Sequence, residues 1–154
     1  MELKPRILGL DIGDARVGIA MTDALGIAQP LITMARSSQK QELKNIARLI
    51  RKHGVAGLVA GNPLHMSGNL SPQALKAQAF AAAVRDEFQL PVYLQDERLS
   101  STAAHELMDR LGYPRGESRK GVLDQYAAVV ILQDWLDAQD RLADPPVHPT
   151  SQKL

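Results

Sequence analysis

The chain has 154 residues, 18 Lys and Arg against 17 Asp and Glu (net charge +1), 45% apolar and 23% charged residues, the composition of one ordinary globular domain with a real core. Cysteine is absent, which excludes disulfides, a thiolate nucleophile and Cys-bound zinc. No stretch reads as a signal peptide and no apolar run is long enough to span a bilayer, so the expectation is a cytoplasmic protein without a membrane partner.

In chain order, residues 6–12 read as a buried strand and 16–23 as a second. Only Gly13, Asp14 and Ala15 separate them, which suits a hairpin. A third strand around 27–34 completes a meander, with Gly26 and Pro30 marking a turn and an irregularity. Residues 39–53 predict an amphipathic helix. Leu43, Ile46, Ala47, Leu49 and Ile50 form its apolar stripe, Lys, Arg and Glu take the other side, and Gly54 stands at its C-terminus. Residues 55–61 read as a short central strand, followed by a polar loop from Asn62 to Leu70. Ser71 and Pro72 open a second helix, as N-cap and first-turn residue, that runs to about Phe88. Pro91 precedes a strand at 92–95. Ser100 or Ser101 caps a third helix, about 101–111, then come a loop at 112–116 and a last helix at about 119–138. Beyond Arg141 the chain is polar and Pro-rich, which predicts a domain over 1–140 and a disordered tail over 141–154. The order β-β-β-α-β-α-β-α-α implies an α/β fold: a mixed five-stranded sheet, three antiparallel strands followed by αβ units, with helices on both faces.

Three carboxylates stand where such a sheet gathers its functional residues, beyond the carboxyl ends of strands. Asp11 ends the run Ile7-Leu8-Gly9-Leu10, Glu97 follows Val92-Tyr93-Leu94, and Asp124 opens an apolar helical stretch. Burying such charges is costly unless something compensates them, and a divalent cation best suits oxygen-only ligands. The pattern points to a metal-dependent enzyme acting on phosphate esters. Each acid has a plainer alternative. Asp11 beside Gly13 can cap a turn, Asp124 suits the positive end of a helix dipole, and Arg98 either contacts a phosphate or pairs with Asp96. Strand alternation sends one of Asp96 and Glu97 toward the site, with Glu97 favoured as ligand and Asp96 as helper or structural hydrogen-bonder. Asn62 is placed to orient a water or phosphate, and His65 either moves a proton or is a bystander. Arg110, Arg115, Arg119 and Lys120 face only Glu117 as an acid in their segment and, with Arg98, suggest a basic rim.

Four segments, in order, resemble the YqgF family: Leu10-Asp11-Ile12-Gly13-Asp14-Ala15-Arg16-Val17-Gly18-Ile19-Ala20, then Gly61-Asn62-Pro63-Leu64-His65-Met66-Ser67-Gly68, Asp96-Glu97-Arg98-Leu99-Ser100-Ser101, and Lys120-Gly121-Val122-Leu123-Asp124-Gln125-Tyr126-Ala127-Ala128. They cover the chain from about 6 to 138. The resemblance implies an RNase H-like fold, related to Holliday-junction resolvases, and a nuclease that trims the 5′ side of precursor 16S rRNA. It implies Asp11, Glu97 and Asp124 as the catalytic and metal-binding triad for Mg²⁺ or Mn²⁺. Two ions would sit about 3.5–4 Å apart, bridged by Asp11. Arg16, Asn62, Arg98, Arg119 and Lys120 are the expected substrate contacts. Expected partners are precursor rRNA or branched DNA and the ribosomal particle, with the chain a monomer or homodimer. Asn62 departs from the leucine that many relatives carry before the proline, and positions 127 and 128 are alanines, so no fourth carboxylate follows one turn after Asp124. Three rival readings remain: an actin-like or sugar-kinase-like ATPase, which needs two such domains; a DNA-junction resolvase, which needs a symmetric dimer; and a non-catalytic RNA- or transcription-associated protein.

Overall fold

The computed structural model describes residues 3–62, 71–97 and 100–143. Its elements run β1 (Arg6–Ile12), β2 (Arg16–Thr22), β3 (Ala28–Ala35), α1 (Gln39–His53), β4 (Val55–Asn62), α2 (Pro72–Phe88), β5 (Val92–Asp96), α3 (Ser100–Arg110), a single 3₁₀ turn at Glu117–Arg119, and α4 (Lys120–Ala143). The five strands form one sheet in the order β3-β2-β1-β4-β5. β1 pairs antiparallel with β2 and parallel with β4, β2 pairs antiparallel with β3, and β4 pairs parallel with β5. This is the mixed sheet with helices on both faces that the sequence predicts.

Alternation along β1 divides the molecule into two cores. Leu8, Leu10 and Ile12 pack with Ile46 of α1 and with Ala77, Phe80, Ala81 and Val84 of α2. On the opposite face, Val59 of β4 and Ala20 of β2 pack with Ala104 and Met108 of α3 and with Tyr126, Ala127, Ile131 and Leu132 of α4. Asp11 lies between Leu10 and Ile12, so the same alternation turns it toward the α4 face.

Local signals set the helix ends. Ser38 caps α1, its side chain accepting from Gln41 N at 3.1 Å. Gly54 closes the helix in the left-handed region at φ +64°, its N–H donating to Ile50 O. Ser71 caps α2 by accepting from Ala74 N at 3.0 Å. α4 departs from expectation at its C-terminal end: it continues to Ala143, five residues past the predicted stop. Nothing between Leu136 and Ala143 breaks a helix, and the first proline comes only at Pro145. The rest of the tail, 144–154, lies outside the described residues. No helix among the described residues is long and apolar enough to cross a membrane.

One acid of α1 does not face water as its polar stripe suggests. Glu42 is 1% exposed and accepts from Arg36 Nε at 2.7 Å and from Ser37 N at 2.7 Å. Arg36 also donates through Nη1 to Gly13 O at 2.7 Å, and its guanidinium lies 5.3 Å from the Phe80 ring centre. This buried pair ties the start of α1 to the β1–β2 turn. Removing one partner of such a pair strands the other charge. Glu42→Ala is therefore expected to destabilise the protein by about 3 kcal/mol, read as a lower urea midpoint at unchanged slope.

Candidate functional site

Asp11 stands at the carboxyl end of β1, and Glu97 directly follows β5, two strands away. β4 lies between them, and its last residue, Asn62, is the register partner of Asp96. The Glu97 carboxylate crosses this gap because Gly61 of β4 has no side chain. A Cβ there would come within 2.5 Å of Glu97 Oε1 and 2.7 Å of Ile131 Cδ1. Asp11 and Glu97 are joined by a side-chain hydrogen bond. Ser100 fixes the other side of Glu97, its Oγ donating to Oε2 at 3.0 Å.

Asp124 reaches the same place from α4. Gly18, opposite Asp11 in the β1–β2 register, clears its path. A Cβ at Gly18 would overlap the Asp124 carbonyl carbon and oxygen. The absent side chain therefore lets the first turns of α4 lie directly on β2. Asp124 is turned to Arg16. Its Oδ2 takes Arg16 Nε at 2.5 Å, in a pair whose side chains are 44% and 21% exposed.

Burial and mutual repulsion dominate the electrostatics. Loss of water, then the nearby Asp124 charge, push Asp11 up to about 6, while the hydrogen bond to Glu97 pulls the other way. Glu97 is pushed up to about 8, first by burial, then by the charge of Asp11, with Ser100 opposing. One proton shared between two close carboxylates is the expected state of such a pair without a cation. Among the described residues no group of three or more His, Cys, Asp or Glu is arranged to enclose a metal ion as it stands. Asp124, the third carboxylate, is paired with Arg16.

The remaining predicted contacts divide. Asn62 closes β4 rather than opening a loop, and its Oδ1 accepts from Gln78 Nε2 at 3.1 Å. Lys120 is exposed and pairs with Glu117 at 3.0 Å, a surface pair that yields readily to a phosphate. Arg119 is a correction. It is 4% exposed and turned into the protein, donating to Asp109 Oδ1 at 3.0 Å, to Pro114 O at 3.3 Å and to Tyr113 O, with His105 Nδ1 at 3.2 Å. Four of its five N–H groups are thus engaged at the α3–α4 junction, and its burial keeps it from a substrate. Arg98 and His65 lie outside the described residues. Asp96 is exposed, and its charge helps raise Glu97. Sequence reasoning missed Ser100 as the residue holding Glu97, because a serine before a helix reads first as a cap. It also missed Gly18 and Gly61 as clearances, since nothing local marks what will pack above a glycine.

Comparison with known proteins agrees with this architecture. The model of the RuvX family, described as Holliday junction resolvase, matches residues 5–138. A protein of Geobacillus kaustophilus named "Putative pre-16S rRNA nuclease" is 43% identical over 137 residues, covering 87% of this chain and 99% of the relative. A protein of the same name from Thermoanaerobacter pseudethanolicus is 39% identical over 135 residues, covering 87% and 97%. Among solved structures, T. thermophilus RuvC in complex with a Holliday junction substrate superposes with a TM-score of 0.54 at 18% identity, covering 88% of this chain and 96% of RuvC. That likeness shows the RNase H-like fold.

The acid pair sets a pH response for the metal-free protein. Both folded-state values, about 6 and about 8, lie above the ordinary 3.8 and 4.5. The folded state therefore holds more protons than the unfolded chain, and this contribution is complete below about pH 4 and lost as pH rises through 6 to 8. In EDTA, the melting temperature is expected to fall between pH 5 and pH 8.5, and Glu97→Gln should flatten that fall. A wild-type melting temperature that rises over this range contradicts the arrangement.

Proposed function

Since this chain belongs to the RuvX family, the YqgF family of the sequence resemblance, we propose that it is a nuclease that hydrolyses phosphodiester bonds of precursor 16S rRNA at the 5′ side. What supports the reading is that Asp11 and Glu97 lie together at one end of the sheet, on the α4 face, with the Asp124 charge near enough to act on Asp11. Precursor rRNA implies work in the cytoplasm on the assembling ribosomal particle.

The donor set suits Mg²⁺ or Mn²⁺, being all oxygen, anionic, partly buried and self-repelling. Asp11 and Glu97 would hold the ions, and Asp124 would join them on leaving Arg16. A pair of such ions, when bound, supplies a more acidic water and neutralises charge on the leaving 3′-oxygen. The chain's own side chains do the rest. Ser100 fixes one oxygen of Glu97. Arg16, released from Asp124, keeps its guanidinium at the site and has the planar fork that fits a phosphate. Lys120, on the rim, adds a second cation for the strand. These groups hold a phosphate without reading a base.

The family description favours one other substrate, a four-way DNA junction, which needs two sites on a symmetric dimer. An assay of precursor rRNA beside junction DNA separates the two. With Mn²⁺ or Mg²⁺, wild type is expected to cut the RNA, and EDTA to stop it. Asp11→Asn, Glu97→Gln and Asp124→Asn should each lower the rate by more than about 100-fold, since losing even an outer-shell partner of a metal site costs about 10–100-fold. Full activity in Asp11→Asn, with its fold verified by circular dichroism, would falsify the assignment.

A further inference from the structure

We propose that the solvent face of α1, with the groove between α1 and β3, binds a single-stranded stretch of the substrate RNA away from the bond being cut. The identity of the partner rests on the nuclease reading, but the surface is argued from its own features. Lys40, Lys44, Arg48 and Lys52 recur at every fourth residue of α1, with Arg51 beside them, and all five are exposed. The row is about 18 Å long at 1.5 Å per residue. The helix's one acid, Glu42, is buried against Arg36. None of the five cations has an ion-pair partner among the described residues.

An ordinary solvated helix face mixes both signs, because like charges four residues apart repel and weaken the helix. Here three such pairs stand in sequence with no acid to relieve them. A polyanion laid along the row relieves all of them at once, and counterion release favours its binding.

The groove supplies the second half of the surface. β3 is an outermost strand, and a cavity of about 390 Å³ lies between it and α1. Ile32, Ala35 and Leu49 give it apolar walls, and Asn45, Arg48 and Lys52 give it a polar, cationic edge. Apolar surface for bases beside cations for phosphates is the arrangement that suits a single strand. Ala35, at one end of the groove, is the register partner of Arg16, whose Nε holds Asp124, so that end of the groove and the acids lie at the same end of the sheet, on opposite faces.

The test measures binding rather than cleavage. A fluorescein-labelled single-stranded RNA is titrated with the full chain in EDTA at several salt concentrations. The triple substitution Lys44→Gln, Arg48→Gln and Lys52→Gln is compared with Lys4→Gln, Arg85→Gln and Arg141→Gln, which removes the same charge elsewhere. Each lost phosphate contact lowers the salt slope for single strands by about 0.7, so the α1 variant should lose about 2 from the slope and about 100-fold in affinity at 0.1 M salt. The control variant should stay close to wild type. Equal losses in the two variants, or none in the α1 variant, overturn the proposal. So does a blunt RNA duplex that wild type binds as tightly as the single strand. Hydrolysis of bis(p-nitrophenyl) phosphate should be unchanged in the α1 variant, because the acids are untouched. A wild type that binds RNA through α1 yet cuts no RNA supports the surface and removes the nuclease reading, so the two stand or fall separately.

Discussion

Repulsion between carboxylates is the constraint around which this molecule is organised. Asp11 and Glu97 are held close enough to share a hydrogen bond, partly out of water, with a third acid beside them. No local preference brings such groups together, and each would be better solvated apart. They meet because the backbone leaves them nowhere else to go. Parallel pairing of β1, β4 and β5 sets Asp11 and Glu97 at the same end of the sheet, and packing of α4 sets Asp124 above them. Gly61 and Gly18 keep the space over the sheet free for the Glu97 carboxylate and for the first turns of α4. The stability of two hydrophobic cores thus offsets the cost of an unfavourable charge cluster.

That cluster is balanced internally. Burial and mutual repulsion favour a proton held between Asp11 and Glu97, and Arg16 pairs with Asp124. Arg16 thereby has a choice of partners of the same chemistry, and in the proposed reading a phosphate oxygen would replace the Asp124 oxygen, one charge-assisted pair for another.

The fold was readable because its signals are local and repeated. Apolar runs bounded by Gly and Pro mark the strands, Ser38 and Ser71 mark helix starts, and a three-residue gap marks the hairpin. Each of these reports on the residues beside it. The acids were readable for a related reason, since a charge at the end of an apolar run is locally anomalous. The losses came where meaning depends on distant partners. Arg119 sits in a basic segment and reads as a rim residue, but Asp109, His105 and two carbonyls surround it only after α3 packs on α4. Glu42 reads with the polar side of α1, yet it stands one turn before Ile46 and two before Leu49, on the buried stripe, where Arg36 pairs with it. Ser100 looks like a cap and instead holds Glu97. Gly18 belongs to a recognisable motif, yet the reason for its bareness is an oxygen of Asp124 more than a hundred residues later.

In the reading proposed above, the two faces of the sheet would divide the work of a nuclease. The acidic end would handle a phosphate, and phosphates are the same at every nucleotide, so chemistry there cannot choose a cleavage position. Choice must come from groups that meet the strand elsewhere, through its bases, its shape or the particle that presents it. On the α4 face, α3 and α4 pack against the sheet. The α1 face is cationic and bordered by an apolar groove, and the groove's Ala35 end lies at the same end of the sheet as the acids. A strand held along it would be fixed in register before its scissile phosphate reaches the carboxylates, so that binding energy far from the reacting bond limits which phosphates arrive there.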